Sequence, residues 1–249
     1  MQLILKKSMR CMLSGVLVAG CLSLPSMALA QETDYADADE LWDDFGEKED
    51  PWEPMNRAVF RFNDTLDRWA LKPIAKGYQK VTPDAVEEGV HNVFSNLGEV
   101  RNFANNVLQF KLHDAGVDTA RFFFNTTFGL LGFFDVATKM GLQRNDEDFG
   151  QTLGAWGLQS GPYVVLPLLG PSTVRDAAAL YPDSFTRQYR YINDVPVRNS
   201  MFALNIVDSR ASLLASERLI IGDKYRFVRN AFLQNREFRV RDGNVVDDF

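Results

Sequence analysis

Cysteine is almost missing from this sequence. There are two, Cys11 and Cys21, and both fall within the first thirty residues. The rest of the chain therefore has no thiol for a disulfide, for nucleophilic catalysis or for a thiolate metal site. Histidine is equally scarce, at His91 and His113. These form no His-x-x-x-His pair and no cluster with metal-ligand spacing, and each reads as an ordinary helical histidine. No Gly-x-Ser-x-Gly elbow occurs, since Ser160-Gly161 lacks the leading glycine. The glycines near 129–132 and 150–161 do not lead from a strand into a helix, so no phosphate loop is expected. No catalytic residue, metal site or cofactor follows from the sequence.

Two further shortages narrow the class. Beyond the first thirty residues no apolar run approaches the ~20 residues that cross a bilayer as a helix. Basic charge is not in excess either. The chain carries 27 Lys and Arg against 33 Asp and Glu, and the imbalance is local. Residues 31–50 hold ten acids and Lys48 alone, which leaves 23 basic and 23 acidic residues in 51–249. A neutral body lacks the basic footprint of a nucleic-acid binder, so no nucleic-acid partner is expected.

The N-terminus reads as a secretory signal peptide, residues 1–30. Lys6, Lys7 and Arg10 precede an apolar run over 11–24, Pro25 ends it, and Ala28-Leu29-Ala30 fits small-x-small cleavage. A second cut competes. Val18-Ala19-Gly20-Cys21 fits a lipobox, in which 1–20 is removed and Cys21 becomes the lipid anchor. Against it, residues 22–30 stay apolar where a lipoprotein tether is usually polar. Residues 31–50 read as an acidic, disordered arm.

From residue 51 the pattern is helical. Met55, Val59, Phe62, Leu66 and Trp69 form one apolar stripe. Pro54 suits its first turn and Pro73 is expected to stop it. Val86, Val90, Val93 and Leu97 give a second stripe, and Val100, Phe103, Val107 and Leu108 a third. Asp114 is placed to cap a fourth helix, Ser172 precedes another over 173–180, and Asp223 can cap the last. Val197, Met201, Leu204 and Val207 make one more stripe. Each stripe reads as ordinary helical core. Strand signal is confined to Tyr163–Leu166, between Pro162 and Pro167. The expected fold is mostly α and single-domain, over 51–239, with a tail at 240–249.

Two stretches look unlike a soluble core. In 121–135, six phenylalanines fall within thirteen residues, and Gly129 and Gly132 break any helix between them. In 153–171, an apolar segment contains four glycines and three prolines. Non-helical apolar backbone is tolerated at membrane depth only where protein covers it or where it lines a watery passage. Arg121 and Asp135 flank the first stretch, and Arg175-Asp176 closes the second. Charges in such places need partners, which could be each other or a lipid phosphate. The acid-rich 144–150 lacks the alternating pattern of a calcium loop and reads as a solvated turn.

Several ordered motifs carry a resemblance. They are Asp50-Pro51-Trp52-Glu53-Pro54-Met55-Asn56-Arg57, Phe60-Arg61-Phe62-Asn63, Lys72-Pro73-Ile74 and Arg121-Phe122-x-x-Asn125-Thr126. They continue with Gly129-x-x-Gly132-Phe133-x-Asp135-Val136-Ala137 and Asp148-Phe149-Gly150-Gln151-Thr152-Leu153-Gly154-x-Trp156-Gly157. The longest is Gly161-Pro162-Tyr163-Val164-Val165-Leu166-Pro167, running on to Arg175-Asp176. The chain thereby resembles the MlaA/VacJ family of phospholipid-binding outer-membrane lipoproteins of Gram-negative bacteria. The resemblance implies a helical ring embedded in one membrane leaflet, around a central amphipathic channel. It implies removal of misplaced phospholipids from the outer leaflet and their transfer to a periplasmic, MlaC-like lipid-carrier protein. It also implies a trimeric porin as partner, and no enzymatic reaction. On that basis Phe122, Phe123, Asn125, Phe128, Gly129, Gly132, Phe133, Asp135, Trp156, Gly161, Pro162, Tyr163 and Pro167 are candidates for the membrane-embedded part and the channel. Asn56, Arg57, Phe62, Asn63, Arg175 and Asp176 are candidates for a structural brace.

Overall fold

The computed structural model describes residues 50–244. The signal segment, Cys21, the acidic arm as far as residue 49, and residues 245–249 of the tail lie outside the described residues.

Helix α1 (Glu53–Leu66) begins with Pro54 in its first turn. The chain does not stop at Pro73, as its proline suggested. It passes through a π turn, Asp67–Leu71, directly into α2 (Lys72–Val81), with Pro73 in the first turn of α2. In an unbroken α-helix the proline ring would strike the carbonyl four residues earlier, and the wider π turn gives it room. The second and third stripes, expected as separate helices, lie on one 25-residue helix, α3 (Asp84–Leu108). Helix α4 (Leu112–Phe128) packs along α3. Asp114 lies in its first turn and does not cap it; the capping position is Lys111, which makes no side-chain cap bond.

The two glycines end α4 as expected. Gly129 follows its last residue, and Gly132 has φ +94°. A Cβ at Gly129 would sit 2.2 Å from the Phe134 carbonyl oxygen, so the turn closes only around a glycine. Asp135 then caps the short α5 (Val136–Lys139), and Asp148 caps α6 (Phe149–Ala155). The single strand signal proves to be one arm of a hairpin. Strand β1 (Tyr163–Leu166) pairs antiparallel with β2 (Gly170–Thr173), from Tyr163 opposite Thr173 to Leu166 opposite Gly170. Thr173 caps α7 (Val174–Asp183), Asp194 caps α8 (Val195–Ser212), and Asp223 caps α9 (Lys224–Val240). The fold is mostly α.

The packing reverses much of the expected role of the stripes, although Val59 still packs against the core of Tyr163, Val165 and Tyr225. On α3 the buried side chains are Asn96, Glu99, Asn102, Asn105 and Asn106, while Val86, Val100, Phe103, Val107 and Leu108 are exposed. Met55, Phe62, Leu66 and Trp69 on α1 and its π turn also face outward, with Trp69 80% exposed. The largest fully buried side chains are Arg121, Arg229, Gln151 and Glu99. Among the described residues, the buried apolar ones are five alanines with Tyr163, Val165 and Tyr225. Helical periodicity located the stripes correctly but not the side on which they lie. In this chain the polar face of α3 makes the interior.

Candidate functional site

Arg121 organises the Phe-rich region from inside. Its Nε donates to Glu99 at 2.8 Å and its Nη2 to Asp135 at 3.1 Å. Its Nη1 donates to the Thr138 hydroxyl at 3.0 Å and to the Leu142 carbonyl at 2.5 Å. Asn125 donates to Asp135 at 3.1 Å and accepts from the Ala137 N–H at 2.8 Å. Burial works against the Asp135 carboxylate, but Thr138, Asn125 and Arg121 outweigh it and hold the carboxyl at about 2. The expected partnering of Arg121 with Asp135 is therefore present, and Glu99 joins them. Around this knot Phe123 and Phe128 point outward, Phe122 lies at the edge of exposure, and the Phe133 ring occupies the space a Cβ on Gly89 would need.

Next to the knot lies an unbalanced carboxyl. Asp118 is 1% exposed; one oxygen accepts from Asn106 at 2.7 Å, and the other has no partner among the described residues. Burial pushes this carboxyl from its ordinary 3.8 up to about 7, against the pull of the Asn106 hydrogen bond. A carboxyl whose folded value is raised destabilises the fold once it ionises. The penalty is absent below about pH 4, grows between about pH 4 and 7, and is complete above. Asp118→Asn is therefore expected to stabilise the protein by on the order of 2 kcal/mol at pH 8 and by nothing near pH 4. Thermal unfolding in detergent across that pH range is the measurement, and a pH-independent difference would sink the account.

The hairpin is held by side-chain amides from α1. Asn56 donates to the Tyr163 carbonyl at 3.0 Å and accepts from the Val165 N–H at 2.9 Å. Two turns on, Asn63 donates to the Leu166 carbonyl at 2.9 Å and accepts from the Leu168 N–H at 2.8 Å. The two amides thus do the work of a third strand on an otherwise unpaired edge. Arg57 pairs with Glu53 and Asp223 and lies 4.4 Å from the Tyr225 ring centre. Phe62 is on the outward face of α1, away from this network.

A second buried network joins α6, α7 and α9. Arg236 binds Asp148 through two hydrogen bonds, at 2.5 and 2.6 Å, and Asp176 at 2.9 Å. Arg175 donates to Asp176 at 3.0 Å. Against its burial, the Arg236 guanidinium holds the Asp148 carboxyl far below the usual range. The 144–150 stretch is therefore not the solvated turn expected from its composition. Glu147 is also buried, where it accepts from Lys111 at 3.0 Å and Gln109 at 2.8 Å. Basic residues distant in sequence draw these acids inward.

A cavity of about 550 Å³ opens beside α3 and α8. Phe94, Leu97, Leu168, Leu169, Phe202 and Ile206 supply its apolar lining. Its charged and polar lining includes His91, Arg101, Arg144, Asp146, Arg187, Asn205 and Asp208. Such a lining accommodates a molecule with apolar tails and a charged head. The residues singled out from the sequence for the channel do not line this cleft. Trp156 donates its ring N–H to the Leu108 carbonyl at 3.1 Å, Gly161 has φ +68°, and Pro162 and Pro167 are exposed. Tyr163 is buried behind the hairpin against Tyr225 and Phe232. The hairpin turn that follows Pro167 does reach the cleft, through Leu168 and Leu169. Arg101, Arg187 and Phe202 were not anticipated, because no motif joins residues so far apart along the chain.

A family model described as MlaA lipoprotein matches residues 48–239. The chain belongs to the MlaA lipoprotein family. Its relatives include the intermembrane phospholipid transport system lipoprotein MlaA of Haemophilus influenzae, 34% identical over 81% of this chain and 83% of that one. The protein of the same name from Escherichia coli is 34% identical over 80% and 81%. An uncharacterised protein of Rickettsia bellii is 32% identical over 77% of each. A solved structure, described as a structural basis for maintenance of bacterial outer membrane lipid asymmetry, is 32% identical. It aligns with a TM-score of 0.68 over 78% of this chain and all of its own. For this MlaA-family chain, the comparison agrees with the mostly helical fold.

Proposed function

We propose that this MlaA-family protein takes misplaced phospholipids out of the outer leaflet of the outer membrane and passes them to a periplasmic, MlaC-like carrier. In this reading the body, 51–239, is a ring in the inner leaflet, associated with a trimeric porin. It is reached by export with a cleaved signal, or by acylation of Cys21. The observation that carries the reading is the reversed packing, with apolar side chains outside and charge inside, around an amphipathic cleft. Hydrocarbon is a favourable surrounding for exposed rings such as Phe110 and Trp69, at 84% and 80% exposure, whereas water is not. No helix among the described residues is long and apolar enough to cross a membrane, which suits a body confined to one leaflet. The acyl chains would lie on Phe94, Leu97, Phe202 and Ile206, and the head on the charged side of the cleft.

The experiment is to measure outer-leaflet phospholipid in a strain lacking the protein, complemented with wild type or with a filled cleft, Leu97→Trp with Ile206→Trp. Deletion is expected to raise outer-leaflet phospholipid. Wild type should restore the low level, and the filled variant, at equal abundance, should not. Full restoration by the filled variant would favour a porin-bound scaffold over a channel. Accumulation of lysophospholipid by the purified wild type would favour a lipid hydrolase.

A further inference from the structure

The cleft lining is not balanced in charge. Its two carboxylates are already engaged, Asp146 by Arg144 at 2.6 Å and Asp208 by His91 at 3.0 Å. Arg144 also donates to Ser95 at 2.5 Å, whereas among the described residues Arg187 reaches only the Tyr189 hydroxyl, at 3.3 Å. The Arg101 guanidinium makes no hydrogen bond or ion pair among the described residues, and its Nε is buried without an acceptor. Asp183, pushed up by burial, feels the Arg101 charge only electrostatically. A guanidinium N–H left unmet in a desolvated place is unfavourable until an anion meets it. A planar guanidinium also matches the oxygens of a phosphate.

We infer that Arg101 and Arg187, beside the Arg144–Asp146 pair, form a seat for the phosphate of an anionic phospholipid, so that the cleft prefers anionic to zwitterionic lipids. This rests on reading the cleft as a lipid site. A zwitterionic head brings an ammonium as well as a phosphate. That ammonium would stand against the surplus guanidinium charge of a lining whose two carboxylates are already engaged. A phosphatidylglycerol-type head brings the phosphate with neutral hydroxyls and leaves nothing unpaired.

The test uses the full chain purified in nonionic detergent. Binding of phosphatidylglycerol and phosphatidylcholine with identical labelled acyl chains is compared, with inorganic phosphate as competitor. Phosphatidylglycerol is expected to bind roughly tenfold more tightly. Arg101→Gln and, separately, Arg187→Gln should each weaken phosphatidylglycerol binding much more than phosphatidylcholine binding, and so remove most of that preference. Arg187 serves as the second variant should Arg101→Gln fail to fold. Millimolar inorganic phosphate should not displace the lipid. Equal binding of the two lipids by wild type, or an undiminished preference in the folded variants, would overturn the inference and leave the lipid cleft standing. Displacement by inorganic phosphate alone would also overturn it, since the seat would then serve a free anion. Binding of neither lipid would overturn the lipid reading beneath it as well.

Discussion

Arg121→Leu is expected to lower stability by about 3–5 kcal/mol, the effect of removing one member of a buried charge pair. The side chain it removes is 1% exposed and serves Glu99, Asp135, Thr138 and the Leu142 carbonyl at once. Leucine would leave Glu99, itself fully buried, facing Asp118 with no countercharge. For a chain of this size the melting temperature in detergent should fall by roughly 10 °C. Arg121→Lys should recover little, because one ammonium cannot reach two carboxylates and a carbonyl on different sides. Adding Glu99→Gln to Arg121→Leu should recover part of the loss, since the uncompensated charge is then gone. A melting temperature for Arg121→Leu within about 2 °C of wild type would refute this account of the knot. The same variant should free the 129–135 turn, because Asp135 loses its cation while keeping Thr138 and Asn125.

Asn56→Asp should also be severe, at about 3–5 kcal/mol, since two buried backbone groups depend on one amide. Asn56 is fully buried, and its NH2 group lies between the Tyr163 carbonyl and the Asp50 carboxylate, at 3.0 Å from each. A carboxylate there would face two acceptors and keep only the Val165 N–H. Asn56→Leu should cost a similar amount by a different route, leaving the Tyr163 carbonyl and the Val165 N–H without partners. Asn63→Leu should cost less, because Leu168 is exposed and water can replace the amide there. Hydrogen exchange at Val165 and Leu168 separates these cases. Asn56 variants should expose Val165, and Asn63 variants Leu168 alone. Slow exchange at Val165 in a folded Asn56→Leu variant would show that the amide does not hold the strand. Because the hairpin carries Leu168 and Leu169 into the cleft, its loosening should also impair maintenance of lipid asymmetry at unchanged protein abundance.

Much of the chain was readable from residues alone, for a local reason. Helix starts depend on a few neighbouring positions, so Pro54 and Asp223 marked theirs, and Gly129 with Gly132 marked the break in the Phe-rich stretch. The Tyr163–Leu166 strand showed in its β-branched run. The ordered motifs, from Asp50-Pro51 to Arg175-Asp176, sufficed to indicate the family, whose model matches 48–239. Tertiary structure decided which side of each helix is inside. A period of 3.6 places Val86, Val100 and Val107 on α3 and the asparagines elsewhere on it, but carries no sign. That sign comes from partners far away: Arg121 for Glu99, Asp118 for Asn106, and Arg236 for Asp148. The cleft was illegible for the same reason. Arg101 and Phe202 on two helices, Leu168 in the hairpin turn, and Arg144 and Arg187 in connecting segments come together only through the packing of the whole body, and side-chain meetings across a hundred residues leave no local pattern to read.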